Sequence, residues 1–326
     1  MKFRTEIKIA PFARPIDHAE RILSLGSCFA EAMTQRLQGV KFHAEGNFAG
    51  PLFNPEVIAD AIERAASGYR HTAAEMQPNS EGLYFSFDGA THLAAPTAEE
   101  AAARINEADE DLRRALSEAD TLIVTFGTAW VYRHLTSGKI VANCHRQAAS
   151  EFERERLTIE GIVARWRSLL EGPLREKRIL LTVSPIRHLK DGLEQNTVSK
   201  AILRLAIEEL CEKHPQCSYF PAYELLLDDL RDYRFYAEDL THPAPQAVEY
   251  IWERFSQAAF TPQTRQLNDR ITRALSFCAH RPLNPASESY RKAAEHLCTE
   301  LAELQQATGI DFSEEIASLK AKIQTK

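Results

Sequence analysis

Short apolar runs alternate with longer amphipathic segments along most of the chain. Arg21-Ile22-Leu23-Ser24-Leu25 predicts a strand stopped by Gly26, with a helix from Phe29 to Leu37 directly behind it. Thr97, with Glu100 three residues on, forms a capping box, and Ala101, Ile105, Ala108, Leu112 and Leu116 then fall on one helical face. Thr121 to Phe126 reads as a buried strand ended by Gly127. The unit recurs as a helix from Thr158 through Leu170, stopped by Gly172-Pro173, and a strand from Ile179 to Val183 ended by Ser184-Pro185. A helix from roughly Asn196 to Lys213 is closed by Pro215, and Tyr219-Phe220 is a short strand. The last helix of the series, Gln246 to Phe255, starts behind Pro243 and Pro245. Strands alternating with helices at this spacing predict an α/β fold with a mostly parallel sheet covered on both faces.

Two segments break that rhythm. Leu83 to Leu93 and Trp130 to Val141 alternate apolar with polar residues around Asp88-Gly89 and Ser137-Gly138, and both read as inserted surface hairpins. After Phe260 the strands stop. Thr261 to Lys326 is helical and charged, with a break at Pro282 to Pro285, which divides the chain into an α/β unit over 1–260 and a C-terminal helical extension over 261–326.

Composition narrows the class. The chain has 326 residues, net charge −7 from 46 acidic and 39 basic side chains, and is 44% hydrophobic and 26% charged. Such a chain buries a core without disulfides or metals, and its acidic balance gives no case for nucleic acid or an anionic membrane as a partner. The six cysteines (Cys28, Cys144, Cys211, Cys217, Cys278 and Cys298) are scattered, with no C-x-x-C pair. Together with the absence of an apolar N-terminal region or a membrane-length apolar run, they predict a reduced, cytoplasmic protein. The glycines form neither a phosphate-binding loop nor a dinucleotide fingerprint, and Cys144-His145 lacks a second ligand pair, so no cofactor and no metal are expected.

Two motifs carry candidate chemistry. In Leu25-Gly26-Ser27-Cys28-Phe29-Ala30 a strand ends, a glycine permits a sharp turn, and two nucleophile-type side chains meet a helix N-terminus. Backbone N–H groups there favour a thiolate and a developing oxyanion. The alternative is that Ser27 merely caps the helix and Cys28 is a small buried hydrophobe. In Asp239-Leu240-Thr241-His242-Pro243 the three-residue spacing brings a carboxylate to an imidazole and fixes its tautomer. The alternative is a turn or cap residue beside a surface histidine. Both motifs fall in strand-to-helix loops, at the carboxyl ends of a doubly wound sheet. Arg187, His188 and Lys190 follow another strand end and suit an anionic part of a substrate or, equally, a solvated basic loop. Trp130 and Tyr132 are candidate pocket walls or half-buried hairpin residues.

The string Gly26-Ser27-Cys28-Phe29-Ala30 resembles the signature of the GSCFA family, a branch of the SGNH (GDSL-like) hydrolase superfamily. Further matching stretches are Gly46-Asn47-Phe48-Ala49-Gly50 with Asn54-Pro55, Phe126-Gly127-Thr128-Ala129-Trp130 and Asn143-Cys144-His145. Ser184 to His188, Asn196 with Ser199-Lys200, and Tyr233 to Tyr236 running into Asp239 and His242 complete the match, from about residue 20 to 257. The resemblance implies a three-layer α/β/α fold with a short parallel sheet. It implies a nucleophile in the first block, Asp239 as orienter and His242 as general base. Gly50 or Gly46 would serve the second block and Gly127 the third. Aligning the strand end puts Cys28 at the nucleophile position; the other register makes it Ser27. Ala129 stands where the superfamily's third block has asparagine, so Asn47 or Asn143 would supply the missing oxyanion donor. Asn143, His145, Arg187 and His188 complete the candidate oxyanion and substrate-binding set.

The resulting expectation is an acyl-ester or thioester hydrolase acting on a small-molecule or glycan acyl substrate. Two alternatives stand beside it: an acyltransferase using the same acyl-enzyme, and a non-catalytic ligand-binding module with a degenerate oxyanion hole.

Overall fold

The computed structural model describes residues 5–284 and 287–324. Its centre is a five-stranded parallel sheet in the order β2-β1-β5-β8-β9. The strands are β1 (Arg21–Gly26), β2 (His43–Gly46), β5 (Thr121–Phe126), β8 (Arg178–Val183) and β9 (Cys217–Phe220). Two antiparallel pairs lie outside it: β3 (Gln77–Pro78) with β4 (Tyr84–Phe85), and β6 (Trp130–His134) with β7 (Phe152–Arg156). The α/β unit carries α1 (Cys28–Gln38), α2 (Pro55–Ser67), α3 (Ala98–Glu118), α4 (Ile159–Glu171), α5 (Leu193–Lys213), the short α6 (Ala222–Glu224) and α7 (Pro245–Ala259).

The side-chain period of a strand builds the two covering layers. Leu23 and Leu25 of β1, Leu122, Val124 and Phe126 of β5, and Ile179, Leu181 and Val183 of β8 point to one face, against α2, α3, α4 and α5. Ile22, Ile123 and Leu180, at the alternating positions, point to the other, against α1, α6 and α7. The fold is therefore a three-layer α/β/α sandwich, with strands apolar on both faces because both are covered. Ala101, Ile105, Ala108, Leu112 and Leu116 are all buried on α3, and Thr97 accepts the N–H of Glu100 at its start.

Three features depart from expectation. β2 is an edge strand in which only Ala44 is buried, and α2 starts from an Asn54 cap followed by Pro55. Neither stood out as an element in the hydrophobic pattern. The first hairpin turns at Asn79 to Gly82, not at Asp88-Gly89: Asn79 Oδ1 accepts the N–H groups of Glu81 and Leu83, so its side chain makes the turn. The second pairing gains a strand, because β6 pairs with β7 while the chain around Ser137-Gly138 returns to bond His134 and Tyr132.

The C-terminal helices α8 (Pro262–Ala279), α9 (Glu288–Thr308) and α10 (Ser313–Gln324) enclose a core of their own that includes Ile271, Ala294, Leu301, Phe312 and Leu319. The helical run is broken twice. Between α8 and α9 lies the expected break, of which Pro285 falls outside the described residues. The second break is at Gly309, whose left-handed φ of 74° ends α9. Lys41 joins the two units by an ion pair to Glu315 at 2.6 Å. No helix among the described residues is long and apolar enough to cross a membrane.

Candidate active site

Helix α1 leaves the sheet on one face, and the chain returns on the other through α2 and α3 to β5, which pairs on the opposite edge of β1. The crevice between the carboxyl ends of β1 and β5 is where such a sheet opens for a ligand. Gly26 makes the turn there. Its φ is +140°, and a Cβ would lie 2.2 Å from the carbonyl oxygen of Thr125, so no other residue fits.

Ser27 and Cys28, adjacent in sequence, are treated differently by the fold. Ser27 caps α1 through the N–H of Phe29, is fully buried, and donates to Ser184 Oγ at 3.0 Å. Cys28, the first residue of the helix, is half-buried and forms no disulfide. Burial, and then the nearby Glu31 carboxylate, raises its thiol above the usual range.

Asp239 and His242 form a couple. Asp239 Oδ2 lies 2.5 Å from His242 Nδ1, and Asp239 Oδ1 accepts the backbone N–H groups of Thr241 and His242 at 2.9 and 3.0 Å. Those bonds, first from the His242 N–H, then from the Thr241 N–H and the ring, hold the carboxyl well below its usual range. The His242 side chain is 49% exposed and its Nε2 has no hydrogen-bond partner among the described residues. Leu240 sits between them at a left-handed φ of 57°.

The two motifs are joined through the end of β8. Ser184 accepts from Ser27, and three residues later the Arg187 N–H donates to the Thr241 carbonyl at 3.1 Å. Beneath this seam lies Lys200, 1% exposed, whose Nζ donates to the carbonyls of Gly127 (2.6 Å) and Ser184 (2.7 Å). Burial pushes its ammonium down to about 7. Neither Lys200 nor Ser184 was among the expected site residues. The available signal was a lysine in the row Asn196, Lys200, Leu203, Ile207, Leu210, the buried stripe of α5.

The expected oxyanion donors are largely committed elsewhere. The Asn47 amide is spent on Gly26, accepting its N–H and donating to its carbonyl at 3.0 Å each, so it extends the β1–β2 pairing by one position. The Gly50 N–H donates to the Asn47 carbonyl, and those of Gly127 and Thr128 both donate to the Phe53 carbonyl. A Cβ on Gly46 would lie 1.7 Å from the Ser24 carbonyl, which explains that glycine as a close backbone approach. Asn143 Oδ1 accepts the His145 N–H. His145 is 7% exposed, stacked on Phe85, with Nε2 shared by the carbonyls of Ser86 and Gly89. It pins the Ser86–Gly89 turn, and burial lowers its pKa. The Cys28 N–H, by contrast, donates to no other described residue. Asn54, buried at the cap of α2, uses Oδ1 for the Val57 N–H and leaves its NH2 without a described acceptor.

A cavity of about 870 Å³ opens beside this seam, lined by Asn54, Thr128, Asn143, Cys144, Arg187 and His188 and by the inner side of the β6–β7 hairpin. Neither the Ser27-Cys28 turn nor the Asp239–His242 couple is among its lining residues; Arg187 and His188 form the boundary. His188 is held neutral, pushed down to about 3 by burial and then by the charges of Lys200 and Arg154. No group of three or more histidine, cysteine and carboxylate side chains able to hold a metal exists among the described residues.

Residues 21–255 match the sequence model of the GSCFA family, and residues 268–325 match that of the GSCFA domain protein, C-terminal domain. No curated protein matches the chain.

Proposed function

The chain belongs to the GSCFA family, and from that premise we propose that it is an acyl-transfer enzyme of the SGNH hydrolase type, cleaving an acyl ester or thioester. The observation that carries the reading is the Asp239–His242 couple, with Nδ1 held by a low-lying carboxylate and Nε2 left open to solvent. The nucleophile in this reading is Cys28. Ser27 is fully buried with its hydroxyl engaged twice, whereas Cys28 is half-buried at the helix N-terminus. Because burial raises the thiol, the thiolate forms only as a base removes its proton.

In the proposed sequence, His242 Nε2 takes the Cys28 proton as Sγ bonds to the acyl carbonyl carbon. The resulting oxyanion is held by the Cys28 N–H. Collapse breaks the bond to the alcohol or thiol leaving group, which departs with the proton from His242. Water or an acceptor alcohol then gives its proton to His242, attacks the acyl-Cys28 thioester and releases the acyl product, and the proton returns to Sγ. One feature favours the non-catalytic reading: the Gly50 and Gly127 N–H groups are internally bonded, so the pocket offers an oxyanion few donors.

Short-chain nitrophenyl esters and thioesters test the proposal. Cys28→Ala and His242→Ala are expected to lower kcat/KM on the order of 100-fold or more. Ser27→Ala is expected to keep turnover within about tenfold while costing about 1–2 kcal/mol of stability, through the lost cap and the lost buried bond to the Ser184 hydroxyl. Absence of wild-type turnover, or loss in Ser27→Ala with Cys28→Ala fully active, overturns the assignment.

A further inference from the structure

The β6–β7 hairpin carries a pattern that the acyl-transfer reading does not use. Trp130 faces Arg156 across the pair and Tyr132 faces Arg154, so all four side chains share one face. Arg154 lies over both rings, 5.3 Å from Trp130 and 4.4 Å from Tyr132, and Lys190 covers Tyr132 at 4.6 Å. Across the cavity Arg187 lies 3.9 Å over the Tyr236 ring. Aromatic faces thus hold three cations, Arg154, Arg187 and Lys190, at the cavity wall.

The charge balance there is one-sided. Arg154 is neutralised by Asp191, with Nε 2.5 Å from Oδ1. Among the described residues neither Arg187 nor Lys190 has a carboxylate within ion-pair distance, and the one nearby acid, Asp191, is engaged by Arg154; no carboxylate is among the residues that line the cavity, in a chain whose net charge is −7. Two charges are left uncompensated, which matches a dianion better than a lone carboxylate. Trp130 and His188, both lining residues, also have ring nitrogens, Nε1 and Nε2, that are buried and without a hydrogen-bond partner among the described residues. At about 870 Å³ the cavity has room for a small organic molecule attached to that anion.

We infer that this cavity binds a phosphate-bearing group, with Arg187 and Lys190 as its charged ligands and Arg154, fixed by Asp191, bordering it. Resting on the acyl-transfer reading, the inference makes the substrate an ester or thioester whose leaving group or acyl part carries a phosphate. The backbone of Arg187 already touches the loop that holds His242, which puts the anion next to the reacting end.

The test is calorimetric titration of the full chain at pH 7.5 and low salt with phenyl phosphate, a dianion, and with benzoate, a monoanion of similar ring. Phenyl phosphate is expected to bind on the order of tenfold tighter than benzoate or better, and to weaken as salt rises. Lys190→Gln, at an exposed side chain whose loss does not threaten the fold, is expected to weaken phosphate binding about tenfold, and Arg187→Gln at least as much. Equal affinities for the two probes, or unchanged binding in Lys190→Gln, overturn the inference. Turnover of neutral nitrophenyl esters without phosphate binding would remove the phosphate site and leave the acyl-transfer reading standing. Phosphate binding without any turnover would remove the acyl-transfer reading and leave the anion site.

Discussion

In the turn after β1 the Gly26 backbone and the Ser27 hydroxyl are tied to distant parts of the chain. At the Asp239 carboxylate the hydrogen bonds close within four residues. Gly26 is bonded through both its N–H and its carbonyl to Asn47, and Ser27 reaches Ser184, 157 residues away. The Asp239 carboxylate is instead filled by the two N–H groups and the ring that immediately follow it. In the proposed reading, the nucleophile on the first segment would inherit its position from the sheet. The base on the second would be preset locally on a half-exposed side chain. Damage should therefore spread from the first site through the whole fold and stay confined at the second.

The sharpest way to break that contrast is Gly26→Ala. A left-handed φ combined with a Cβ 2.2 Å from a backbone oxygen leaves no relaxation except moving β1 against β5. The expected loss is about 4 kcal/mol or more in denaturant unfolding, among the largest for a single methyl group. A loss below about 1 kcal/mol would mean that the turn is not held by the sheet.

The next effect is smaller and depends on pH. Lys200, which braces the ends of β5 and β8, is pushed down to about 7 in the folded chain, against about 10.4 when unfolded. Below pH 7 both states hold the proton, and the cost of burying the ammonium is present in full. Between the two values the unfolded chain binds more protons, so stability rises with pH, by up to about 3 kcal/mol from pH 7 to 9.5. Denaturant unfolding across that range should show the rise in the wild-type chain, and Lys200→Met should flatten it. Parallel pH profiles for the two chains would show that Lys200 keeps its proton between its two carbonyl acceptors.

The same division governs how much could be read from the chain alone. β1, β5 and β8 announce themselves as apolar runs because both their faces are covered. β2, a single buried alanine on an edge, sends no such signal. The Asp239–His242 couple was legible because it is a contact at a spacing of three, set by the local backbone. The bonds that spend Asn47, Gly127 and His145, and those that recruit Ser184 and Lys200, depend on which loops the strand order brings together. No spacing encodes that order. For the same reason Arg154 escaped notice until the pairing of β6 with β7 set it opposite Tyr132.

The smallest expected effect sharpens the comparison from the other side. Leu240 holds a left-handed φ of 57°, unfavourable for a leucine, and its side chain is exposed, so little burial is lost if it is removed. Leu240→Gly relieves that strain while adding backbone entropy to the unfolded chain, and the two terms nearly cancel. The expected outcome is a change between zero and about 1 kcal/mol in favour of folding, the opposite sign to Gly26→Ala. A loss of more than about 1 kcal/mol would show that the leucine side chain anchors the loop to the body of the protein. The Asp239–His242 geometry would then depend on the same long-range wiring as the turn after β1.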